Sequence, residues 1–150
     1  MTDLINANLV DLDVPGDDRD EVTRALGTRL AEAGRVTDVD GFLADLRQRE
    51  EQMPTGIEGG IGIPHARSEH VTKPTLAFGR SHPGVDFGAP DGPARLIFLI
   101  AAPASGGEDH MSILAALARR LVHQDFRDRL LAAADANEVV ELVHKEVLGQ

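Results

Sequence analysis

Apolar positions change their period along the chain, and each change marks an element. At 9–14, LVDLDV alternates apolar and acidic residues, the pattern of a half-exposed edge strand. Pro15-Gly16 then turns the chain. Asp17 or Asp18 caps a helix whose buried stripe is Val22, Leu26, Leu30 and Ala33; Asp18-x-x-Glu21 has the form of a capping box, and Gly34 stands at C′. A second helix begins near Thr37 or Asp38, buries Val39, Phe42, Leu43, Leu46 and Met53, and stops at Pro54. The charges of its last turns, Arg47, Arg49, Glu50 and Glu51, read mostly as a solvated helix end.

After this helix the spacing shortens. Residues 55–67, TGIEGGIGIPHAR, mix glycine with short apolar residues and stop at Pro64 before His65. Pro64 fixes its own φ and drives Ile63 extended, so His65 is expected just past the end of a short strand, on stiff backbone. The glycines leave room for a partner or an anion to approach the backbone closely. A strand follows at 74–80. Residues 81–94 hold three prolines and three glycines and read as a loop, with a very short strand at 85–87. Arg95 to Ala102, RLIFLIAA, is continuously apolar after its first residue, which marks a central strand covered on both faces. Ser105-Gly106-Gly107 opens a loop into a helix near 108–123, with Met111, Leu114, Leu117, Ala118 and Leu121 inward. Asp125 caps the next helix, which buries Phe126 and Leu130; Asp135-x-x-Glu138 starts a last helix that buries Val139, Val143 and Val147. No repeat or linker interrupts 1–150, so a single domain is expected. Strand, two helices, several strands, three helices is the order of an α/β fold: a three-layer sandwich, with a mixed five-stranded sheet flanked by helices on both faces. Strict strand–helix alternation is missing, which disfavours a doubly wound sheet.

Composition removes several chemistries. There is no cysteine, hence no disulfide, zinc–thiolate site or thiol nucleophile, and a reducing cytoplasm fits. Tyr and Trp are absent and aromatics are 3%, too few for stacking single-stranded nucleic acid. The net charge of −10 disfavours nucleic acid further. That charge is uneven: 1–53 carry 13 acids and 6 bases (net −7), 54–103 carry 4 and 4, and 104–150 carry 8 and 5 (net −3). Its plain meaning is solubility, and its sharper one is steering of a basic protein partner. The longest apolar run, 96–102, is far too short to span a bilayer.

The glycine-rich stretch fails as a nucleotide site: Gly60-x-Gly62 lacks the third glycine of the dinucleotide fingerprint, and no G-x-x-x-x-G-K-[ST] run exists. Six histidines occur without an H-E-x-x-H or H-x-H pair, so no metal is implied. His70 and His82 belong to turns and loops, and His123 and His144 suit the negative ends of helices. His65 and His110 differ, because both follow apolar strand-like runs where α/β sheets gather their sites. No G-x-S-x-G elbow is present, and Ser68 and Ser105 have no special context. A bare imidazole can still accept a phosphoryl group if cationic or N–H groups hold the oxygens; Arg49, Arg67 and a second imidazole are available. From the residues alone, His65 is either such a nucleophile or structural.

Residues 49–67, REEQMPTGIEGGIGIPHAR, resemble the active-site segment of the fructose/mannitol class of enzyme IIA domains, from the bacterial sugar phosphotransferase system. That segment reads approximately R-E-x-x-x-x-T-G-I-G-N-G-V-A-I-P-H-A. Val85-Asp86-Phe87, Asp91-Gly92 and the run from Arg95 to Pro103 fit the family's central strands, and GEDHMSILAALA at 107–118 fits its histidine-bearing helix. The resemblance implies a phosphotransferase without cofactor or metal. His65 would take a phosphoryl group on Nε2 from the phosphohistidine carrier protein HPr and pass it to a IIB domain, which with a membrane IIC domain phosphorylates an incoming sugar. His110 and Arg49 would hold the phosphoryl group. A nitrogen-related branch of the family signals through phosphorylation-dependent protein binding instead, and a non-catalytic sugar- or metal-binding module is a third reading. Glu58 and Gly59 replace the usual Gly-Asn, and Gly62 the usual Ala, a mild change. Glu58 is expected to face solvent or an arginine, away from the incoming phosphoryl group.

Overall fold

The computed structural model describes residues 4–104 and 109–149, with the backbone alone at 109–111. A short 3-10 turn (Ala7–Leu9) leads into β1 (Val10–Asp11). Asp11 then accepts a hydrogen bond from the Asp13 N–H (3.0 Å), so the expected edge strand at 9–14 is cut to two residues by its own acidic side chain. Helices α1 (Arg19–Glu32) and α2 (Val39–Gln52) follow. Asp18 caps α1 by accepting from the Glu21 N–H at 2.9 Å, while Glu21 reaches back to the Asp17 N–H at 3.0 Å. Gly34 closes α1 at φ +76°, as expected of C′. Ala33 is exposed because it is the C-cap and no longer turns inward. Met53 is 63% exposed, for it lies past the end of α2 on extended backbone. Neither joins the expected buried stripes, which are otherwise Val22, Leu26 and Leu30 on α1 and Phe42, Leu43 and Leu46 on α2, with Val39 half-buried at the start of α2.

Six strands, rather than the five expected, make the mixed sheet: β1, β2 (Gly56–Ile57), β3 (Ile61–Gly62), β4 (His65–Ser68), β5 (Thr75–Val85) and β6 (Ala94–Pro103), in the order β1-β5-β6-β3-β2, with β4 also on β6. The extra strand comes from the break at Ile63-Pro64. Ile61 pairs with Leu96 and His65 with Ile100, both parallel and at the same offset, so β3 and β4 are two halves of one strand in continuous register. Pro64 has no N–H for the ladder, but its carbonyl still accepts from Ile100 N–H at 3.0 Å. His65 therefore opens a strand, where the sequence places it beyond one. The loop expected at 81–94 is also shorter. Strand β5 continues to Val85 beside Ala94 through a register shift after Arg80, with Gly84 at φ +88° bonded to the Ser81 hydroxyl.

Strand β6 has both faces covered, as its unbroken apolar run predicts. Ile97, Leu99 and Ala101 pack with α1 and α2. Leu96, Phe98 and Ile100 pack with α3 (Asp109–Leu121), α4 (Gln124–Ala132) and α5 (Ala136–Glu146). This alternation fixes the register, since a one-residue slip would exchange the two cores. Leu117 and Leu121 of α3 are buried and Leu114 and Ala118 half-buried, while Met111's side chain and 105–107 lie outside the described residues. Asp125 does not cap α4. His123 holds that position, and Asp125 pairs with Arg129 one turn on at 3.3 Å. Asp135 does cap α5, accepting from Glu138 N–H at 2.9 Å; Val139 and Val143 are buried, and Val147 is half-buried.

Candidate functional site

The glycine-rich stretch folds as a hairpin and then a kinked strand. Strands β2 and β3 pair antiparallel, and the turn between them puts Gly59 and Gly60 at φ +104° and +77°. A residue with a Cβ rarely takes such angles, which accounts for these two glycines. The Asp91 carboxylate accepts from Gly59 N–H at 2.9 Å and pins the tip. Gly56 and Gly62 have another cause. A Cβ on Gly56 would lie 2.7 Å from the Phe87 carbonyl oxygen, and one on Gly62 would lie 2.6 Å from the Phe87 ring. The room at these two positions is thus filled by Phe87 and not kept open for an anion. Glu58 is exposed at the turn.

His65 opens β4, is 9% exposed, and has its Nδ1 2.7 Å from the Ile63 carbonyl oxygen. A carbonyl only accepts, so Nδ1 carries the hydrogen and the neutral ring has its lone pair on Nε2. Pro64 between the two residues keeps this contact short-range and stiff. In the parallel pairing His65 lies beside Ile100 and Arg67 beside Ala102, which puts both on the sheet face that carries α3. Arg67 is exposed and donates to the Ala104 carbonyl at 3.3 Å.

Helix α3 packs against β6, and its first turn carries His110. The backbone of His110 is thus placed beyond the end of β6; its side chain lies outside the described residues. Arg49 is half-buried in the last turn of α2 and donates from a guanidinium nitrogen to the Met53 carbonyl at 3.1 Å. It holds the chain where α2 turns into the hairpin. Ser68 is not the context-free serine of the sequence: it is buried in β4 and donates to Asp45 of α2 at 2.6 Å, tying this helix to the strand of His65.

One residue of the site escapes sequence reading. Glu50 does not sit at a solvated helix end. Its side chain is 11% exposed, and it accepts from both the N–H and the hydroxyl of Thr55, each at 2.7 Å. The available signal was a threonine five positions after the glutamate, just past a helix-stopping proline. Among the other histidines, His82 is exposed on β5, His70 is half-buried in a turn, and His144 lies in the last turn of α5. His123 follows the C-terminal end of α3, its N–H bonded to the Arg120 carbonyl at 3.0 Å, and also stands at the N-cap of α4 without a side-chain capping bond. Among the described residues, no group of three or more His, Cys, Asp or Glu is placed to hold a metal ion.

Comparison with known proteins adds a family. Residues 3–146 match the model described as "Phosphoenolpyruvate-dependent sugar phosphotransferase system, EIIA 2". A fructose-specific EIIA component of the phosphotransferase system from Haloferax volcanii is 45% identical over 141 residues, covering 93% of this chain and 91% of that protein. The crystal structure of the nitrogen regulatory protein IIA-Ntr from Neisseria meningitidis superposes with a TM-score of 0.85 at 28% identity, over 93% of this chain and 96% of that one. The mannitol IIA enzyme of Escherichia coli, solved in complex with phosphorylated mannitol IIB, superposes with a TM-score of 0.79 at 25% identity, over 97% and 98%.

Proposed function

The chain belongs to the EIIA 2 family of the phosphoenolpyruvate-dependent sugar phosphotransferase system, and from that premise we propose that His65 is the residue that carries the phosphoryl group. The observation that supports this most is the 2.7 Å contact of Nδ1 with the Ile63 carbonyl, because it leaves the lone pair on Nε2. The donor is the phosphohistidine carrier protein HPr. Nε2 forms the new P–N bond as the bond from phosphorus to the carrier's imidazole breaks, the leaving nitrogen keeping the bonding pair. Positive charge passes from the carrier's ring to the ring of His65. The Nδ1 proton stays in place, and its bond to the Ile63 oxygen takes up part of that charge. The phosphoryl oxygens are held by Arg49 and His110. The group then moves to a IIB domain, as the complex of the mannitol relatives suggests, and from there to a sugar of the fructose or mannitol type. Residues 1–150 act in this as one IIA domain, in the cytoplasm; among the described residues no helix is long and apolar enough to cross a membrane.

A regulatory reading has one observation in its favour, the TM-score of 0.85 to IIA-Ntr. The 45% identity to a fructose-specific component favours transport. Incubation with phosphorylated HPr, then with a panel of IIB domains, tests both. A carrier takes label on His65, loses that capacity in His65→Ala, and passes label onward to a fructose- or mannitol-type IIB. A regulator takes label and passes none. A chain with no label on His65 is neither.

A further inference from the structure

The hydrogen bonds behind His65 run in series. Glu50 accepts from the N–H and hydroxyl of Thr55, each at 2.7 Å. The Thr55 carbonyl accepts from Ile63 N–H at 3.1 Å. The Ile63 carbonyl accepts from His65 Nδ1 at 2.7 Å. At the far end, Arg19 lies 3.6 Å from the Glu50 carboxylate. From this series we infer that Glu50 is a positioning residue for His65, acting through Thr55 and Ile63 to fix the imidazole tautomer that leaves Nε2 nucleophilic. This rests on the reading of His65 as phosphoryl acceptor.

The placement of Glu50 argues against an incidental contact. A carboxylate in the last turn of a helix meets the negative end of its dipole, and burial adds a desolvation cost. Glu50 bears both in the last turns of α2, with a side chain 11% exposed. Two donors from Thr55 and the Arg19 guanidinium offset these costs. Thr55, itself 8% exposed, is gripped at two atoms, so its carbonyl has one direction. Ile63 is held extended by Pro64 after it, and its N–H is held by Thr55. Its carbonyl therefore stays over Nδ1. Without Glu50 the Thr55 N–H and side chain are released, and the Thr55–Gly56 peptide keeps only the Gly56 N–H bond to the Phe87 carbonyl at 2.9 Å and its bond from Ile63. The Thr55 carbonyl loosens, the Ile63 oxygen shifts, and the ring gains the tautomer with hydrogen on Nε2, which cannot attack phosphorus.

The test combines ¹⁵N NMR of His65 with phosphoryl-transfer kinetics, in the whole chain and in Glu50→Ala and Glu50→Gln. The native ring should be the Nδ1–H tautomer above its titration. Glu50→Ala should show Nε2–H tautomer and a kcat lower by on the order of ten- to a hundredfold, with KM for HPr within about twofold. Glu50→Gln keeps an acceptor for Thr55 N–H and a donor to its hydroxyl, so it should restore the tautomer and most of the rate. Where Glu50→Ala does not fold, Thr55→Val removes one of the two bonds and should shift the tautomer the same way, less far. An unchanged tautomer in the folded variants, or a loss confined to KM, overturns the inference. The spectrum needs no carrier protein: if the tautomer shifts but native His65 takes no phosphoryl group, the positioning stands and the phosphoryl-acceptor reading falls.

Discussion

At the scale of single residues, the proposed phosphoryl transfer turns on which nitrogen of His65 holds the proton. A protonated Nε2 has no lone pair, so the rate of phosphoryl acceptance should fall as pH is lowered and the imidazole takes up a second proton. Stopped-flow transfer from phosphorylated HPr checks this, and a rate flat from about pH 5 to 8 would contradict a nucleophilic imidazole. Glu58, the residue least explained by the family pattern, is exposed at the hairpin turn. Glu58→Gln should change the transfer rate by less than about twofold, since an exposed charge is screened; a large acceleration would show that the carboxylate faces the phosphoryl group. The break beside His65 was legible in the sequence because its signals are local: a proline before it and short apolar residues around it. Glu50 was not. Its partner, Thr55, lies beyond the helix on backbone whose path is set by the hairpin, and no helical or strand period brings the two together.

At the scale of elements, the kinked β3–β4 strand shows what local pattern reaches and what it misses. Pro64 correctly signalled a break in the ladder. That the chain resumes the same register on β6 depends on pairing with residues 35 positions on, which no local window contains. The same limit hid the second half of β5, whose prolines and glycines read as a loop until Val85 met Ala94. Gly62 looked like a mild departure from alanine, whereas a Cβ there would lie 2.6 Å from the Phe87 ring, which is 1% exposed and has little room to yield. Gly62→Ala should therefore destabilise the protein by about 1–3 kcal/mol, the usual cost of overpacking. Urea unfolding measures this, and a variant as stable as the native chain would mean that the Phe87 segment yields freely. Capping fared better, because it is local: Asp18 and Asp135 each bond the N–H three residues on. Asp125 misled because the helix begins one residue before it.

At the scale of the molecule, the continuous apolar run of β6 was the most informative stretch, since only a strand between two cores is apolar on both faces. It gave the layered α/β architecture before any pairing was known. Phe98 sits at its middle, fully buried, with its ring centroid 4.8 Å from that of Phe78. Phe98→Ala should cost about 3–5 kcal/mol, read by denaturant unfolding, with its first structural effect on the face carrying α3 and the backbone of His110. A cost below about 1 kcal/mol would mean that this core collapses around the cavity. The count of strands was less legible, because β1, β2 and β3 have two residues each and exist only through their neighbours.

The most direct test of the whole account is the chemical form of the labelled protein. After incubation with phosphorylated HPr, ³¹P–¹⁵N correlation NMR on ¹⁵N-histidine protein should show one acid-labile, base-stable P–N bond, at Nε2 of His65, absent in His65→Ala. Phosphate on Nδ1, or on another residue while His65 stays unmodified, would contradict it.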